Sequence, residues 1–479
     1  MLWRQGSRLL VSCIALLFFA TAPPAYTKPL PAPLSTDGAR IISVDGAEVR
    51  LQGVNWFGLE GPSLAPHGLW ARNLDDMLRQ IAELGFNTIR LPICGAVLRA
   101  AARDVSSISF SRNPDLKDKS PLQILDAVVA AAGAQKLKII LDYHSIEPTP
   151  DGRTDGRWYD ASRSEQDWID DWVALAQRYR SDPTIIGADL YNEPEGNWGA
   201  GGVRDWRRAA TEAGNAILRA APQWLVVVQG LRVYDDRWYW FGGQLQGVAD
   251  KPIELDRPAQ LVYSAHDYPP SLHAQVWFAD PDYPANLDGV WDQFWGFIEA
   301  RGIAPVLLGE FGSRLETEAD RQWADAMARY LKKRGIDWVW WSWNANGEPK
   351  GILGEDWTTP VPRRAQYLQE LMRATRSTAA TPRYGYIDCF KDRGASATLA
   401  GHDLDGRRLD DTVSMTIGRC ARACRTAGLA HFALQNGYSC YCGADYGAFG
   451  KAANCTVACR GDPSQICGGN RANSVHRLL

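Results

Sequence analysis

The feature that most constrains the fold is an eightfold alternation of strand-like and helix-like segments between residues 30 and 370. Amphipathic helical patterns such as LDDMLRQIAELG and VRDWRRAATEAGNAILRAA separate most of the apolar runs. The runs are GVNWFG (53–58), NTIRLPI (87–93), KIILDYHS (138–145), IIGADLYNEP (185–194), WLVVVQG (224–230), LVYSAHDY (261–268), PVLLGEFG (305–312) and WVWWSWN (338–344). Eight strands alternating with helices predict an α/β fold of the (β/α)8 or TIM barrel type.

A doubly wound parallel sheet is the alternative α/β arrangement. Such a sheet usually carries a glycine-rich nucleotide loop after an early strand, and GVNWFGLEG is not of that kind. The barrel is therefore favoured, and it places an active site at the carboxyl ends of its strands.

Polar and aromatic residues stand at the predicted carboxyl ends of six of these strands, so we expect them to converge on one mouth. They are Arg90 in the second run, His144 in the third, Asn192 and Glu193 in the fourth, His266 and Tyr268 in the sixth, Glu310 in the seventh and Trp343 in the eighth. Any one of them alone is equally consistent with a structural role, but the set together indicates an active site.

Two carboxylates facing each other across a barrel mouth fit the cleavage of glycosidic bonds. One carboxyl must be protonated to assist the leaving oxygen, and the other must be ionised to attack the anomeric carbon. Arg90 and Tyr268 are suited to hold Glu310 ionised, and Asn192 is suited to bind a sugar 2-hydroxyl. Glu193 then ends its strand because a proton donor must be rigidly placed there.

Composition narrows the classes of partner. The formal net charge is -3 and no long basic run is present, so nothing points to nucleic acid. The 20 tryptophans are many for a chain of this length; most are expected in the core, but flat aromatic faces also hold sugar rings. No metal-ligand pattern is visible, and the predicted chemistry requires neither a metal nor another cofactor.

The N-terminus has the pattern of a secretory signal peptide. Arg4 and Arg8 precede an apolar run from about Leu9 to Ala20, followed by small residues and prolines. We assign residues 1–27 to this signal; a signal anchor is the alternative. No other segment has 18 consecutive apolar residues, so no membrane span is expected in the mature chain.

The cysteines divide the chain into two parts. Eight fall in the last ninety or so residues: Cys389, Cys420, Cys424, Cys440, Cys442, Cys455, Cys459 and Cys467. An even number clustered in a secreted chain predicts four disulfides, with zinc as the weaker alternative, and leaves their pairing open. We assign residues 28–372 to the barrel, 373–383 to a linker and 384–479 to the cysteine-rich module.

The motifs LYNEP, LLGEFG, TIRLPI, SAHDY and WSWN resemble those of glycoside hydrolase family 5, the retaining cellulase family with a (β/α)8 barrel. GVNWFGLE, HGLW, VWFADPDYP and residues 351–357 resemble its bacterial-type endo-β-1,4-glucanases. The likeness covers about residues 40–360.

The resemblance implies a role for each candidate residue. Glu193 matches the acid/base and Glu310 the nucleophile of a retaining double displacement. The substrate-cleft residues of the family match Arg90, His144, Asn192, His266, Tyr268 and Trp343. Trp343 would stack under the sugar beside the scissile bond; Trp56 and Trp277 are candidate platforms at flanking subsites, for which core packing is equally plausible.

One loop departs from the pattern. After WSWN, similar cellulases carry a longer loop rich in Asn, Ser, Gly and Asp, whereas here it reads ANGEPKGIL, with Lys350. Because this loop borders the cleft, β-1,3-glucan, mannan or xyloglucan remain alternative substrates for the same retaining chemistry.

The C-terminal module resembles a WSC domain, a family with eight cysteines that is thought to bind cell-wall polysaccharides. The likeness rests on YGYIDCF, on MTIGRCARACRTAGLAHFALQNGYSCYCG with its CYCG motif, and on NCTVACRGDPSQICGGNRANSVHRL with its CGG motif. It implies a wall glycan as partner; Tyr438 and Tyr441 are candidate sugar contacts, although wrapping around the disulfide core is the stronger interpretation.

The sequence therefore predicts a secreted, wall-associated endo-β-1,4-glucanase acting on β-glucan without a cofactor. A wall-binding protein with an inactive barrel is the alternative of another class. Surface sensors with WSC modules would be expected to carry a Ser/Thr-rich stalk and a membrane span, and this chain shows neither.

Overall fold

The protein folds into two units that are joined near residue 380. Its structure, a computed structural model, describes residues 30–150, 155–376, 383–393, 399 and 401–479. The predicted signal peptide and most of the predicted linker lie outside the described residues. Within the described ranges, no helix has the length and apolarity that a bilayer crossing requires.

The first unit is a closed barrel of eight parallel strands, as the sequence predicts. In chain order the strands of this unit are β1 (Leu34–Asp37), β2 (Arg40–Ser43), β3 (Gln52–Asn55), β4 (Thr88–Cys94), β5 (Lys138–Ser145), β6 (Ile185–Asp189), β7 (Leu225–Gln229), β8 (Val233–Tyr234), β9 (Arg237–Trp238), β10 (Leu261–Asp267), β11 (Val306–Phe311) and β12 (Asp337–Trp340). The barrel runs β3-β4-β5-β6-β7-β10-β11-β12 and closes from β12 onto β3. Each of the eight predicted runs contributes one of these strands.

Helices surround most of the barrel. They are α1 (Leu74–Glu83), α2 (Pro121–Ala134), α3 (Glu165–Tyr179), α4 (Trp206–Ala220), α5 (Leu287–Trp291), α6 (Phe297–Ala300), α7 (Glu318–Arg334) and α8 (Pro362–Thr375), with a π-helical turn at Asp292–Gly296 between α5 and α6. The link between β7 and β10 is different: residues 230–260, all described, form the short hairpin β8–β9 and 3-10 turns instead of an α-helix.

The hairpin β1–β2 closes one end of the barrel. Leu34 and Ile41 of the hairpin lie in one buried cluster with residues from the strands' amino-terminal halves. These barrel residues are Ile140, Ile186, Leu225, Val227, Val262, Leu307 and Val339. An apolar floor therefore seals the amino-terminal end, and the opposite, carboxyl end is left for chemistry.

The second unit is a small antiparallel sheet crossed by one helix. Its elements are β13 (Tyr384–Lys391), β14 (Arg407–Asp410), α9 (Ile417–Thr426), β15 (His431–Gln435), β16 (Ser439–Gly443) and β17 (Ala472–Leu478), with the sheet order β13-β17-β15-β16-β14. All eight clustered cysteines form disulfides, which pair Cys389 with Cys455, Cys420 with Cys440, Cys424 with Cys442 and Cys459 with Cys467.

Two of these bridges fasten α9 to β16. Cys420 and Cys424 are one helical turn apart, and Cys440 and Cys442 are two residues apart on one face of a strand. Both spacings return side chains to the same side, so the two bridges run in parallel. A core this small gains most of its stability from such cross-links.

The second unit also docks directly against the floor of the barrel. Arg419 of α9 donates to the Thr36 carbonyl oxygen (2.7 Å), and Arg422 lies 3.3 Å from both Asp37 and Glu48. The backbones meet where a Cβ added to Gly46 would lie 2.2 Å from the Gly418 carbonyl oxygen. The two units are therefore held together by direct contacts as well as by the linker. The helix α8 extends to Thr375, three residues past the predicted boundary at 372.

Candidate active site

The carboxyl end of the barrel gathers the polar residues that the sequence analysis selected. Arg90 lies on β4, His144 on β5, His266 on β10 and Glu310 on β11, and all are buried. The remaining three follow directly on strand ends: Asn192 and Glu193 after β6, and Tyr268 after β10. The structure brings these seven side chains together: five are hydrogen-bonded to one another, and the hydrogen-bonded pair of His266 and Glu193 lies 3.6 Å from Glu310.

Arg90 is the centre of this group, with no exposed side-chain surface. Its guanidinium donates to Glu310 (2.6 Å), Asp189 (2.7 Å), Asn192 (2.9 Å) and Asn55 (3.0 Å). It also lies 3.0 Å from Asp142. Burial disfavours the charged guanidinium, but Asp142, Asp189 and Glu310 outweigh that cost and raise the pKa of Arg90.

Glu310 has a donor on each carboxylate oxygen. Arg90 donates to Oε1, and the Tyr268 hydroxyl donates to Oε2 at 2.8 Å. His266 Nδ1 lies 3.6 Å from the same Oε2. A guanidinium and a phenol both stabilise negative charge on a carboxylate, and they fix its plane across the mouth of the barrel.

Glu193 lies in a different environment. Its backbone adopts a left-handed conformation with φ of +48° and its side chain keeps 29% of its surface exposed to the cleft. Its carboxylate lies 3.0 Å from His266 Nδ1, and among the described residues no Lys or Arg forms an ion pair with it. Burial raises the pKa of Glu193 to about 7, although His144 and Arg90 act in the opposite direction.

The two histidines carry different charges. Burial lowers the pKa of His266 to about 4, so its ring is neutral near pH 7, and the flanking carboxylates favour the tautomer protonated on Nδ1. Burial also disfavours the cation of His144, but Asp142 at 2.7 Å overcomes this and raises the pKa of His144 to about 9. His144 is therefore an additional positive charge near the carboxylate pair.

The two glutamates lie close together. One carboxylate oxygen of each, together with His266, belongs to a set of atoms that all lie within 4.8 Å of one another. Such a pair, with one member of raised pKa and the other held by two donors, is arranged for an acid and an anion to act together. In the described ranges, this trio and Cys420, Cys424 and Cys440 are the only sets of three or more close enough to ligate a cation, and the cysteines are committed to disulfides.

The predicted tryptophan platforms require correction. Trp343 is completely buried and its backbone N–H donates to Asn55, so its ring cannot lie under a sugar in this structure. Trp56 is also completely buried and donates to the His67 carbonyl, and Trp277 is only 8% exposed and stacks on Tyr239. All three belong to the core.

A different row of rings leads out of the site. His144 stacks on Trp341 (6.0 Å between ring centroids, 18° between planes), and Trp341 stacks on Phe57 (5.3 Å, 10°). Phe57 continues to His67 and then to Trp70, which is 38% exposed. Trp341 is partly exposed, whereas the predicted Trp343, two residues later, is buried.

Several buried polar residues of the site did not enter the prediction. They are Asn55, Asp142, Asp189 and Gln229, and none has any exposed surface. A signal was present, because a charged or amide side chain inside a buried strand run is costly unless it has partners. Asp142 in IILDYHS and Asp189 in IIGADL are such residues.

Comparison with known proteins places this geometry in a family. The model of cellulase, glycosyl hydrolase family 5, matches residues 43–347. An endoglucanase from Paenibacillus polymyxa is 43% identical over 353 residues, which cover 72% of this chain and 88% of the relative. The catalytic domain of the major endoglucanase of Xanthomonas campestris pv. campestris superposes with a TM-score of 0.67 at 36% identity, covering 70% of this chain and 99% of that domain.

The second unit has its own match. The WSC domain model covers residues 386–469, and human Kremen protein 2 is 33% identical over 98 residues, 20% of each chain. The chain therefore belongs to the cellulase family, glycosyl hydrolase family 5, and carries a C-terminal WSC domain.

Proposed function

We propose that the protein is a secreted, retaining endo-β-1,4-glucanase in which Glu193 is the acid/base and Glu310 the nucleophile. The observation that carries the proposal is the closeness of the two carboxylates, since one oxygen of Glu193 lies within 4.8 Å of one oxygen of Glu310. Retaining glycosidases hold their carboxyl groups about 5–5.5 Å apart, whereas inverting enzymes separate them by about 6.5–9.5 Å to admit a water molecule.

In the first step the Glu310 carboxylate attacks the anomeric carbon while the bond to the leaving oxygen breaks. Glu193 gives its proton to that oxygen, so the leaving sugar departs as an alcohol. In the second step Glu193, now ionised, takes a proton from water, and the resulting hydroxide displaces Glu310 from the sugar. Two inversions give net retention at the anomeric carbon.

The neighbours of the pair fit these roles. Arg90 and Tyr268 hold Glu310 as an anion directed at the anomeric carbon. Asn192 is held by Arg90 through its oxygen (2.9 Å), which leaves its amide nitrogen, 3.3 Å from His144, to meet a sugar 2-hydroxyl. Neutral His266 lies between both carboxylates. It can stay hydrogen-bonded to Glu193 while Glu193 loses and regains its proton, and it adds no charge to the site.

The relatives and the cleft support the proposed substrate class. Relatives at 43% and 40% identity are named endoglucanases, and variants of the endocellulase of Pyrococcus horikoshii, 34% identical, are described in complex with cellotetraose. The exposed or partly exposed rings of this row, Trp341, His67 and Trp70, offer apolar faces along one wall, as a flat β-1,4-linked chain requires. Trp341 takes the platform role expected of Trp343.

The shortened loop after WSWN leaves a second glycan as an alternative substrate. Lys350 pairs with Glu355 (3.1 Å), and Asn346 contacts His67 (3.2 Å), so the loop packs against the ring row that would bind substrate. A branched or β-1,3-linked chain would meet this wall at a different angle. Specificity for such a glycan would leave the chemistry of the carboxylates unchanged.

A substrate panel tests the proposal. Reducing-sugar release is measured on carboxymethylcellulose, mixed-linkage glucan, laminarin, mannan and xyloglucan, with Glu310→Gln as the inactive control. Cleavage of the first two by the wild type alone is expected, and NMR of the first product should show the β-anomer. Cleavage of another glycan would assign the enzyme a different substrate. An α-anomer as the first product would refute the retaining mechanism. Inactivity on every glycan would favour a non-catalytic binding protein.

Removing the proposed acid should separate substrates by their leaving groups. In Glu193→Gln we expect kcat/KM on polysaccharide to fall by about 10²–10⁴-fold, since the sugar hydroxyl is a poor leaving group that needs the proton. A dinitrophenyl cellobioside, whose leaving group departs unaided, should lose much less. Equal losses on the two substrates would contradict the acid role.

The pH dependence should have its basic limb near neutrality. Glu193 must be protonated in the first step, and burial raises its pKa to about 7, so kcat/KM on polysaccharide should fall as the pH rises through about 7. The same limb should be weak for the dinitrophenyl cellobioside. A basic limb that is identical for both substrates would assign it to another group.

We propose that the protein is exported and held on a cell-wall glycan by its WSC domain. The support is the signal-like N-terminus, a 40% identical relative named a major extracellular endoglucanase, and the domain match. Tyr441 is only 2% exposed and stacks on His402, so it fits the disulfide core better than a sugar contact. Tyr386, 59% exposed on β13, is the better candidate.

Loss of the domain should affect insoluble substrate selectively. Deleting residues 384–479 is expected to leave activity on soluble oligosaccharides and to lower activity on insoluble wall, because attachment raises the local substrate concentration. The deletion also uncovers the floor that Arg419 and Arg422 contact, so Tyr386→Ala, which keeps that contact, is the matched variant. A collapse of soluble activity in the deletion alone would mean that the domain stabilises the barrel.

A further inference from the structure

Gln229 ends β7 and is completely buried behind the carboxylate pair. Its side-chain amide has partners of opposite kinds: Oε1 accepts from the Glu193 backbone N–H (2.8 Å), and Nε2 donates to both oxygens of Asp189 (3.0 and 2.9 Å). A backbone N–H requires an acceptor and a carboxylate requires a donor, so the partners fix the orientation of the amide. Neither a hydrocarbon nor an ionised acid satisfies both.

The backbone that Gln229 holds is under strain. The left-handed conformation of Glu193 is unfavourable for a residue with a Cβ, and Pro194 disfavours helical conformations at the residue before it. The preceding residue is anchored as well, since the Asn192 N–H donates to the Tyr143 carbonyl at 3.0 Å. These two bonds determine the direction in which the Glu193 side chain leaves the backbone.

The same amide connects the two carboxylates of the site. From Gln229 the path continues through Asp189 to Arg90 (2.7 Å) and from Arg90 to Glu310 (2.6 Å). Gly242 lies against the oxygen of this amide, since a Cβ added to Gly242 would lie 2.8 Å from Gln229 Oε1, so position 242 has no space for a side chain in that direction. An unbroken chain of hydrogen bonds therefore runs from the backbone of Glu193 to the side chain of Glu310.

We propose that Gln229 is a positioning residue for the proton donor: it holds Glu193 in its strained conformation and fixes its separation from Glu310. This inference rests on the acid/base role proposed above for Glu193. Gln229 itself touches neither proton nor sugar. A displacement of about 1 Å at a reacting group can cost about 10²-fold in rate, so its loss should weaken proton donation in particular.

The test compares two variants of Gln229 with a matched control. Gln229→Leu removes both bonds, and Gln229→Glu keeps an acceptor for the Glu193 N–H. The control is Gln260→Leu, which removes an equally buried glutamine from the other end of the barrel, where it donates to the Leu34 and Trp224 carbonyls. For each full-length protein, kcat/KM is measured on aryl β-cellobiosides of graded leaving-group pKa, together with the Tm.

We expect Gln229→Leu to lose about 10²-fold on the poorest leaving group and less than about 10-fold on dinitrophenyl cellobioside, with Gln229→Glu between it and the wild type. Gln260→Leu should lower the Tm and change all substrates equally. A Gln229→Leu series parallel to that of Gln260→Leu, or unchanged from the wild type, overturns the proposal. If Gln229→Leu does not fold, the dependence of kcat/KM on leaving-group pKa in Gln229→Glu is compared with that of Gln260→Leu and of the wild type in the same way.

Glu193→Gln on the same series separates this inference from the function on which it rests. A steep dependence on the leaving group in Glu193→Gln, combined with a normal dependence in the Gln229 variants, refutes only the positioning role. A flat dependence in Glu193→Gln refutes the acid role itself.

Discussion

Glu310→Gln should lower kcat on β-1,4-glucan by at least about 10⁴-fold, because it removes the group that we propose as the nucleophile of the covalent intermediate. The amide is nearly isosteric, but it carries no charge and cannot attack the anomeric carbon. Its oxygen can still accept from Arg90 or Tyr268, so the Tm should change far less than the rate. The measurement is reducing-sugar release at saturating substrate, with circular dichroism of the same sample as the control for folding.

Rescue by azide makes the assignment specific. In Glu310→Ala the small anion can enter from the face that the carboxylate occupied, and an activated aryl cellobioside should then give the α-glycosyl azide. In Glu193→Ala azide should attack the intermediate on Glu310 and give the β-glycosyl azide. If the two variants gave the same anomer, or if Glu310→Gln kept a near-normal rate, the assignment of the two glutamates would be wrong.

The barrel was predictable because its signal is repeated eight times. Every apolar run became a barrel strand, and once the strands are parallel their polar ends must meet at one edge. This is why Arg90, Glu193 and Glu310 are found together in the structure although 220 residues separate the first from the last. The position of a residue at a strand end carries nearly all of that information.

Side-chain orientation after a strand end was not predictable. Trp341 and Trp343 share one loop, and only three-dimensional packing decides that the first faces the cleft while the second is buried. The same limit applies to Gln229, whose proposed role depends on the left-handed conformation of Glu193, a residue that follows the neighbouring strand β6. The periodicity of apolar residues predicts one strand at a time and gives no information about contacts between strands.

The C-terminal domain shows a similar division. Eight cysteines in a short segment predict four bridges, but their number allows many pairings, and only the packing of α9 on β16 selects the two parallel bridges. Docking on the barrel depends on Gly46 and Gly418, where the absence of side chains allows two backbones to touch. Neither glycine is distinguishable in the sequence from one in an ordinary turn.

The active site destabilises the fold because it buries charged groups, and Arg90 offsets much of this destabilisation. Asp142 and Asp189 have no exposed side-chain surface and Glu310 has 5%, so all three carboxylates have been taken out of water. A buried charge is tolerated only when it is paired and hydrogen-bonded, and one guanidinium contacts all three. We therefore expect this network to tolerate the loss of its cation less well than any surface ion pair.

Arg90→Met should lower the free energy of unfolding by about 3–5 kcal/mol, since it leaves three buried carboxylates without their cation. Urea denaturation followed by tryptophan fluorescence measures the loss. The control is Arg79→Met, which breaks exposed pairs with Asp76 and Glu83 on α1 and should cost less than about 1 kcal/mol. Losses of equal size in the two variants would show that the buried network contributes no more than a surface pair.

The destabilisation by Arg90→Met should also depend on pH. Burial raises the pKa of Asp189 to about 7 even though the Arg90 guanidinium acts against this rise, so Arg90→Met should raise the pKa of Asp189 further above that of the unfolded chain. Such groups favour the folded state below their unfolded pKa and disfavour it as the pH rises through the folded pKa. The loss of unfolding free energy relative to the wild type should therefore be larger at pH 8 than at pH 5. A loss that does not change with pH would mean that it comes from packing around the longer arginine stem instead of from the buried charges.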